Sequence, residues 1–306
     1  IRLSLVGSEM CIRDRTLRRV AEYDPEASAP GSVQAVTNAI SGGVGSGIDV
    51  NVGINAQTAP YETLKLAGHA VPVGQDSGNG PVAYRMWRDP RTQFSYPRLS
   101  RHPDPQVAKR VNALLEQRHW QMNLAALACM ASAYTDGNPA AGTLGSYDDE
   151  AITVQWLSKA LMTVTESGSL YCGGAHPDNH FEPYTFDLLR GEYLDWNRVL
   201  DAYVPGENGG RKESPALLAL MEKARAPLAA ARANTKGDAQ DDSLDSCSDL
   251  WPSYLALGTE SPGVLTLSIS GIGHAMGVCL GTHATVPFKD LTPYLAPGGQ
   301  AYLVTE

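Results

Sequence analysis

The sequence predicts an α+β fold, an antiparallel sheet with packed helices. Three observations carry this. Short alternating apolar runs are joined by hairpin signals, as at Pro262-Gly263 between Tyr254–Leu257 and Val264–Ile269. Helical spacing of apolar residues recurs in two long stretches, beginning near Asp104 and near Ser214. Those helices stand between sets of strands, whereas a parallel doubly wound sheet needs one after each strand.

Ile1–Arg15 reads IRLSLVGSEMCIRDR, which resembles a translated sequencing-adapter artefact; it is set aside, and Cys11 with it. From residue 16 to 81 the pattern is weak and reads as a linker or the remnant of an upstream module. Only Ile48, Val50, Val52 and Ile54 alternate as a strand would. The glycines at 41–47 match neither G-x-x-x-x-G-K-S/T nor G-x-G-x-x-G, so they form no phosphate cradle. The domain proper is placed at 82–306.

Within it, Phe94–Leu99 reads as a short strand. Asp104 is a good N-cap and Pro105 suits the first helical position. Val107, Val111, Leu114 and Leu115 then predict a helix to Arg118, continued by the Ala-rich stretch Trp120–Tyr134 and stopped at Asp136-Gly-Asn-Pro139. Ile152–Trp156 and Ala160–Ser167 alternate as strands, and Leu170–Gly174 enters a Gly-Gly turn. Tyr184–Leu188 is a further strand, turning at Arg190-Gly-Glu192 into Tyr193–Trp196. Ser214–Arg232 is a helix with Leu217, Leu218, Met221 and Ala224 on one face. Thr282–Val286 leads to a short C-terminal helix at Phe288–Leu295.

Lys and Arg number 24 against 33 Asp and Glu, a net charge of −9, which argues against a nucleic-acid binder and against docking on anionic lipid. The longest nearly unbroken apolar run, Leu124–Tyr134, is about half the ~20 residues a membrane span needs. Cys129, Cys172, Cys247 and Cys279 make an even set with no C-x-x-C pair. Bonds Cys129–Cys172 and Cys247–Cys279 are favoured, each within one half of the chain. They imply a periplasmic or otherwise extracytoplasmic protein. The alternative is four buried thiols in a cytosolic one.

The densest polar cluster is Tyr171-Cys-Gly-Gly-Ala-His-Pro-Asp-Asn-His180. Gly173, Gly174, His176, Asp178 and His180 are the expected ligand-contacting residues in a tight turn. His176 with Asp178 forms a weaker catalytic pair, since an imidazole suits general-base or metal work. Pro177 disfavours a helix at His176, and no third ligand stands at a recognised spacing, so no metal or cofactor is expected. Asp238, Asp241, Asp242, Asp245 and Asp249 lack the D-x-D-x-D-G loop and read as a solvated acidic loop. His274 and His283 read as strand residues. Tyr96, Tyr171, Tyr184, Trp156, Trp196 and Trp251 read as core packing, with a glycan- or protein-binding face as the alternative. No G-x-S-x-G or H-E-x-x-H occurs.

Tyr96-Pro-Arg-Leu99, Val111-Asn112, Cys172-Gly-Gly-Ala-His-Pro177, Phe186-Asp-Leu-Leu-Arg-Gly191 and Val286-Pro-Phe-Lys-Asp-Leu291 form an ordered series. It resembles the extracytoplasmic domain shared by RsiV-type anti-sigma factors and PdaC-type peptidoglycan deacetylases, over about Arg85–Leu295. The resemblance implies an α+β envelope domain that binds a protein, such as lysozyme, or a peptidoglycan-related ligand without turning it over. No deacetylase metal motif follows, and Ile272-Gly-His274 departs from the family pattern. The competing expectation is a metal- or His-dependent hydrolase of cell-wall glycan acting through His176.

Overall fold

The computed structural model describes residues 70–78, 80–135, 150–170, 178–206, 210–234, 247 and 250–305. The expected strand Ile48–Ile54, the Asp136–Pro139 stop, the turn through Cys172, Gly173, Gly174 and His176, and the aspartates at 238–249 lie outside them. The chain divides into two compact units. One holds residues 1–71 and Asp89–Gln93. Within it the Asp89 carboxylate accepts from the Arg91 backbone N–H at 2.9 Å and from its guanidinium at 2.9 Å. The other holds Pro72–Arg88 and Phe94–Glu306 and carries the α+β body.

Strands β1 (Val71–Ser77), β2 (Ala83–Arg88) and β3 (Ser95–Arg101) form one sheet in that order. Strand structure therefore begins ahead of the boundary at residue 82. The sequence hid β1 because it has no apolar alternation: only Val73 of its seven residues is even half-buried.

Helix α1 (Pro105–Thr135) is a single run of 31 residues. Its start follows from chemistry: the Asp104 carboxylate accepts from the backbone N–H of Gln106 at 2.7 Å and of Val107 at 3.3 Å. Those two hydrogen bonds also lower the Asp104 pKa. Val107, Val111 and Leu115 line its buried face. One residue along, the Asn112 side chain pairs with Leu99 of β3 as a second peptide would. It accepts from Leu99 N–H at 2.7 Å and donates to its carbonyl at 2.9 Å, which fixes the helix against the strand.

The central sheet is antiparallel, in the order β4 (Ala151–Leu157), β5 (Leu161–Leu170), β6 (Asp178–Asp187), β7 (Glu192–Tyr193). Side chains alternate across it. Met162, Val164 and Phe186 join Tyr96, Leu99 and the α1 residues in one core. The opposite face packs on β10 (Leu255–Glu260), where the Thr163 hydroxyl lies 3.0 Å from Thr185 and 2.6 Å from Thr259. Strand β10 pairs with β11 (Val264–Ile269) and β11 with β12 (Gly281–Pro287), both antiparallel. Leu265, Leu267 and Ile269 share a second core with Leu217, Leu220 and Met221 of α2 (Pro215–Asn234).

Several elements differ from expectation. The hairpin β8 (Tyr203–Pro205) with β9 (Arg211–Glu213) is too short to show periodicity. Tyr254 ends a helical turn, α3 (Trp251–Tyr254), instead of opening a strand. Strand β7 stops at Tyr193, since the Asp195 side chain caps a 3-10 turn at Trp196–Arg198. The C-terminal helix is replaced by separate 3-10 turns at Phe288–Asp290 and Thr292–Tyr294, because Pro293 has no N–H to continue a helix.

Asp187 ties the ends of this unit together. It is fully buried, and its carboxylate accepts from the backbone of Leu189 and Arg190 at 2.9 and 3.0 Å. Arg198 donates to it at 3.1 Å and the Tyr302 hydroxyl at 2.9 Å. The turn it caps needs Gly191: φ is +77°, and a Cβ there would stand 2.7 Å from Arg110 Nε.

Cys247 and Cys279 are joined by a disulfide closing 32 residues of chain. Cys129 is disulfide-bonded too, while Cys172 lies outside the described residues. On the chain-entropy account a loop of that length stabilises by about 3–4 kcal/mol. Replacing Cys247 and Cys279 together with serine is expected to lower the unfolding free energy by about that amount in urea titrations, with the fold retained.

Candidate functional site

The face of β5 and β6 that meets α1 is apolar at one end and charged at the other. Phe186, Tyr184, Glu182 and His180 follow one another on β6, opposite Met162, Val164, Glu166 and Gly168 of β5. Like charges directly opposite repel, so the Glu166–Glu182 pair needs a cation. Arg118, on the buried side of α1, supplies it.

Arg118 donates through Nε to Glu166 Oε1 at 3.0 Å and through Nη2 to Oε2 at 2.5 Å, and Nη2 lies 3.7 Å from Glu182. The Tyr96 hydroxyl donates to Glu166 at 2.6 Å. The guanidinium stacks 3.8 Å above the Tyr184 ring, and the Tyr184 hydroxyl donates to Glu182. The Glu166 side chain is 4% exposed and that of Arg118 15%, so the pair is held away from solvent. Burial pulls the Arg118 guanidinium down, and the hydrogen bonds to Glu166 more than reverse this. Burial, and then the Glu166 charge, hold the Tyr184 phenol neutral far above its ordinary range.

His180 extends the ladder. Its Nε2–H donates to Glu150, just ahead of β4, at 2.9 Å. The Glu150 side chain is 2% exposed, and its Oε2 has no hydrogen-bond partner among the described residues. Burial pulls the His180 ring down, but the Glu150 hydrogen bond and charge, with Glu182 and Glu166 behind it, raise it above the ordinary 6.5. A histidine whose folded pKa is raised contributes stability that is complete below the unfolded value and is lost as pH rises through the folded one. Unfolding free energy is therefore expected to fall with rising pH above about 6.5, and His180→Gln to flatten that slope in denaturation series from pH 5 to 9.

Of the residues singled out from sequence, His180 stands in this cluster. Asp178 is at the exposed start of β6, so Asp178 and His180 are strand residues and not part of a tight turn. The hairpin ladder continues to the Leu170–Asp178 pair, and its hydrogen bonds outweigh the local turn signals. Gly173, Gly174 and His176 lie outside the described residues. His283 is in β12 and donates Nε2–H to the Cys279 carbonyl at 2.7 Å, beside Trp251. His274 opens a 3-10 turn, His274–Cys279, instead of a strand. Tyr96, Trp156 and Trp251 are core residues, whereas Tyr184 belongs to the charged ladder.

Sequence reasoning missed Arg118, Glu150, Glu166 and Glu182. The signal was present: Glu166 falls at an inward position of an apolar strand, after Met162 and Val164, and Arg118 follows Leu115 by three on an apolar helix face.

Among the described residues no group of three or more His, Cys, Asp and Glu side chains is placed to hold a metal ion. No described helix is long and apolar enough to cross a membrane. No protein-family model matches the chain, and no curated protein matches it in sequence.

Proposed function

We propose that the protein is a disulfide-bonded extracytoplasmic domain that binds a protein ligand, such as lysozyme, or a peptidoglycan-related one, and does not transform it. The RsiV/PdaC-like motifs support this, and so does the Cys247–Cys279 bond, a modification that persists in oxidising compartments. The observation that carries the non-catalytic part is Glu166. Both its oxygens are taken by Arg118 and Tyr96, so this buried carboxylate at the centre of the ladder offers no free base. A pull-down of the full chain with lysozyme and with peptidoglycan fragments tests the reading. Retention of one of them at unchanged mass is expected; retention of neither overturns it.

One observation favours a second reading, a glycan hydrolase. Glu150 orients the His180 ring through Nε2, as a carboxylate orients a general base. In that case the peptidoglycan fragments are recovered shortened, and His180→Gln abolishes the shortening.

A further inference from the structure

We propose that the end of the ladder at Glu150, His180 and Glu182 is a recognition site for a primary ammonium group carried by the ligand. This rests on the binding reading above and names the chemistry that binds. Three carboxylates, Glu150, Glu166 and Glu182, face one guanidinium, Arg118, and one imidazole, His180. The cluster keeps an excess of negative charge even with the ring protonated. The phenols beside it, Tyr184 and Tyr193, remain neutral and do not offset it.

The excess is not spread evenly. Glu166 is saturated by Arg118 and Tyr96. Glu150 is not: one oxygen meets His180, and the other is buried with no hydrogen-bond partner among the described residues. A buried, unpaired carboxylate oxygen is destabilising unless a donor reaches it. Gly168 stands directly across from His180, so the β5 residue opposite the ring brings no side chain against it. Glu182, with its side chain 39% exposed, gives the outer acceptor. An ammonium has three donors, no acceptor and a compact charge, which matches a buried oxygen beside a more exposed carboxylate. With no metal-holding group among the described residues, an organic cation fits better than a coordinated ion. Because the ammonium competes with the His180 ring proton, binding strengthens as pH rises through the histidine range.

The probe is Nα-acetyl-lysine methylamide, with its Nε-acetylated form as the uncharged control, titrated into the full chain while the His180 ring signals are followed by NMR. A saturable shift with the amine and none with the acetylated compound is expected. Glu150→Gln should weaken the response roughly tenfold or more. If that variant unfolds, Glu182→Gln, at a more exposed position, is read instead and should weaken it in the same sense. An equal response to both compounds, no response to either, or unchanged affinity in the variant that folds overturns the site. A retained amine response with failed lysozyme and peptidoglycan pull-downs would remove the named partners and leave the site standing.

Discussion

Glu166→Ala is expected to cost about 3–5 kcal/mol of unfolding free energy, because it strands a charge in the core. Arg118 is 15% exposed and donates twice to this carboxylate. The Tyr96 hydroxyl, in a fully buried residue, loses its acceptor in the same step. A second variant separates the penalty of the orphaned charge from the worth of the pair. Replacing both partners by apolar residues of similar volume, Glu166→Leu with Arg118→Met, should recover much of the loss. A double-mutant cycle in urea measures this. If the single variant costs under about 1 kcal/mol, Arg118 has found another partner and the ladder does not hold the helix to the sheet.

Asp187→Ala is expected to destabilise by a similar amount, about 3–5 kcal/mol, for a different reason. No single strong partner is lost. Four donors from four places lose this acceptor: the backbone of Leu189 and Arg190, the Tyr302 hydroxyl and the Arg198 guanidinium, which keeps Glu192 at 2.5 Å. Asp187→Asn keeps an acceptor and the volume, so it should cost less than the alanine. Equal losses in the two variants would mean that the charge itself matters most. Thermal and urea unfolding of both variants, with Tyr302→Phe as the reference for one contact, decides between them.

The fold class was legible because it depends on period. Two-residue alternation in β5, β6 and β11, and helical spacing from Val107 onward, are local signals that the packing reinforces. The misses were elements without a period of their own. Strand β1 is nearly all exposed and exists through its neighbour, and β8 and β9 have three residues each. Part of the candidate site was legible, and for the wrong reason. His180 stood out in a polar run that suggested a turn, yet its surroundings come from residues 14 to 62 positions away: Arg118, Glu150 and Glu166. Each of these alone reads as an ordinary charge on a helix or strand. Only the register, which sets Glu166 opposite Glu182 and brings Arg118 against both, makes them a group.

The most direct test of the account is hydrogen–deuterium exchange on the full chain, alone, with lysozyme, and with peptidoglycan fragments. One of the two is expected to slow exchange in β5, β6 and the part of α1 around Arg118, and to be recovered intact. Protection confined to the β10–β12 sheet, no protection with either, or a cleaved ligand would contradict it.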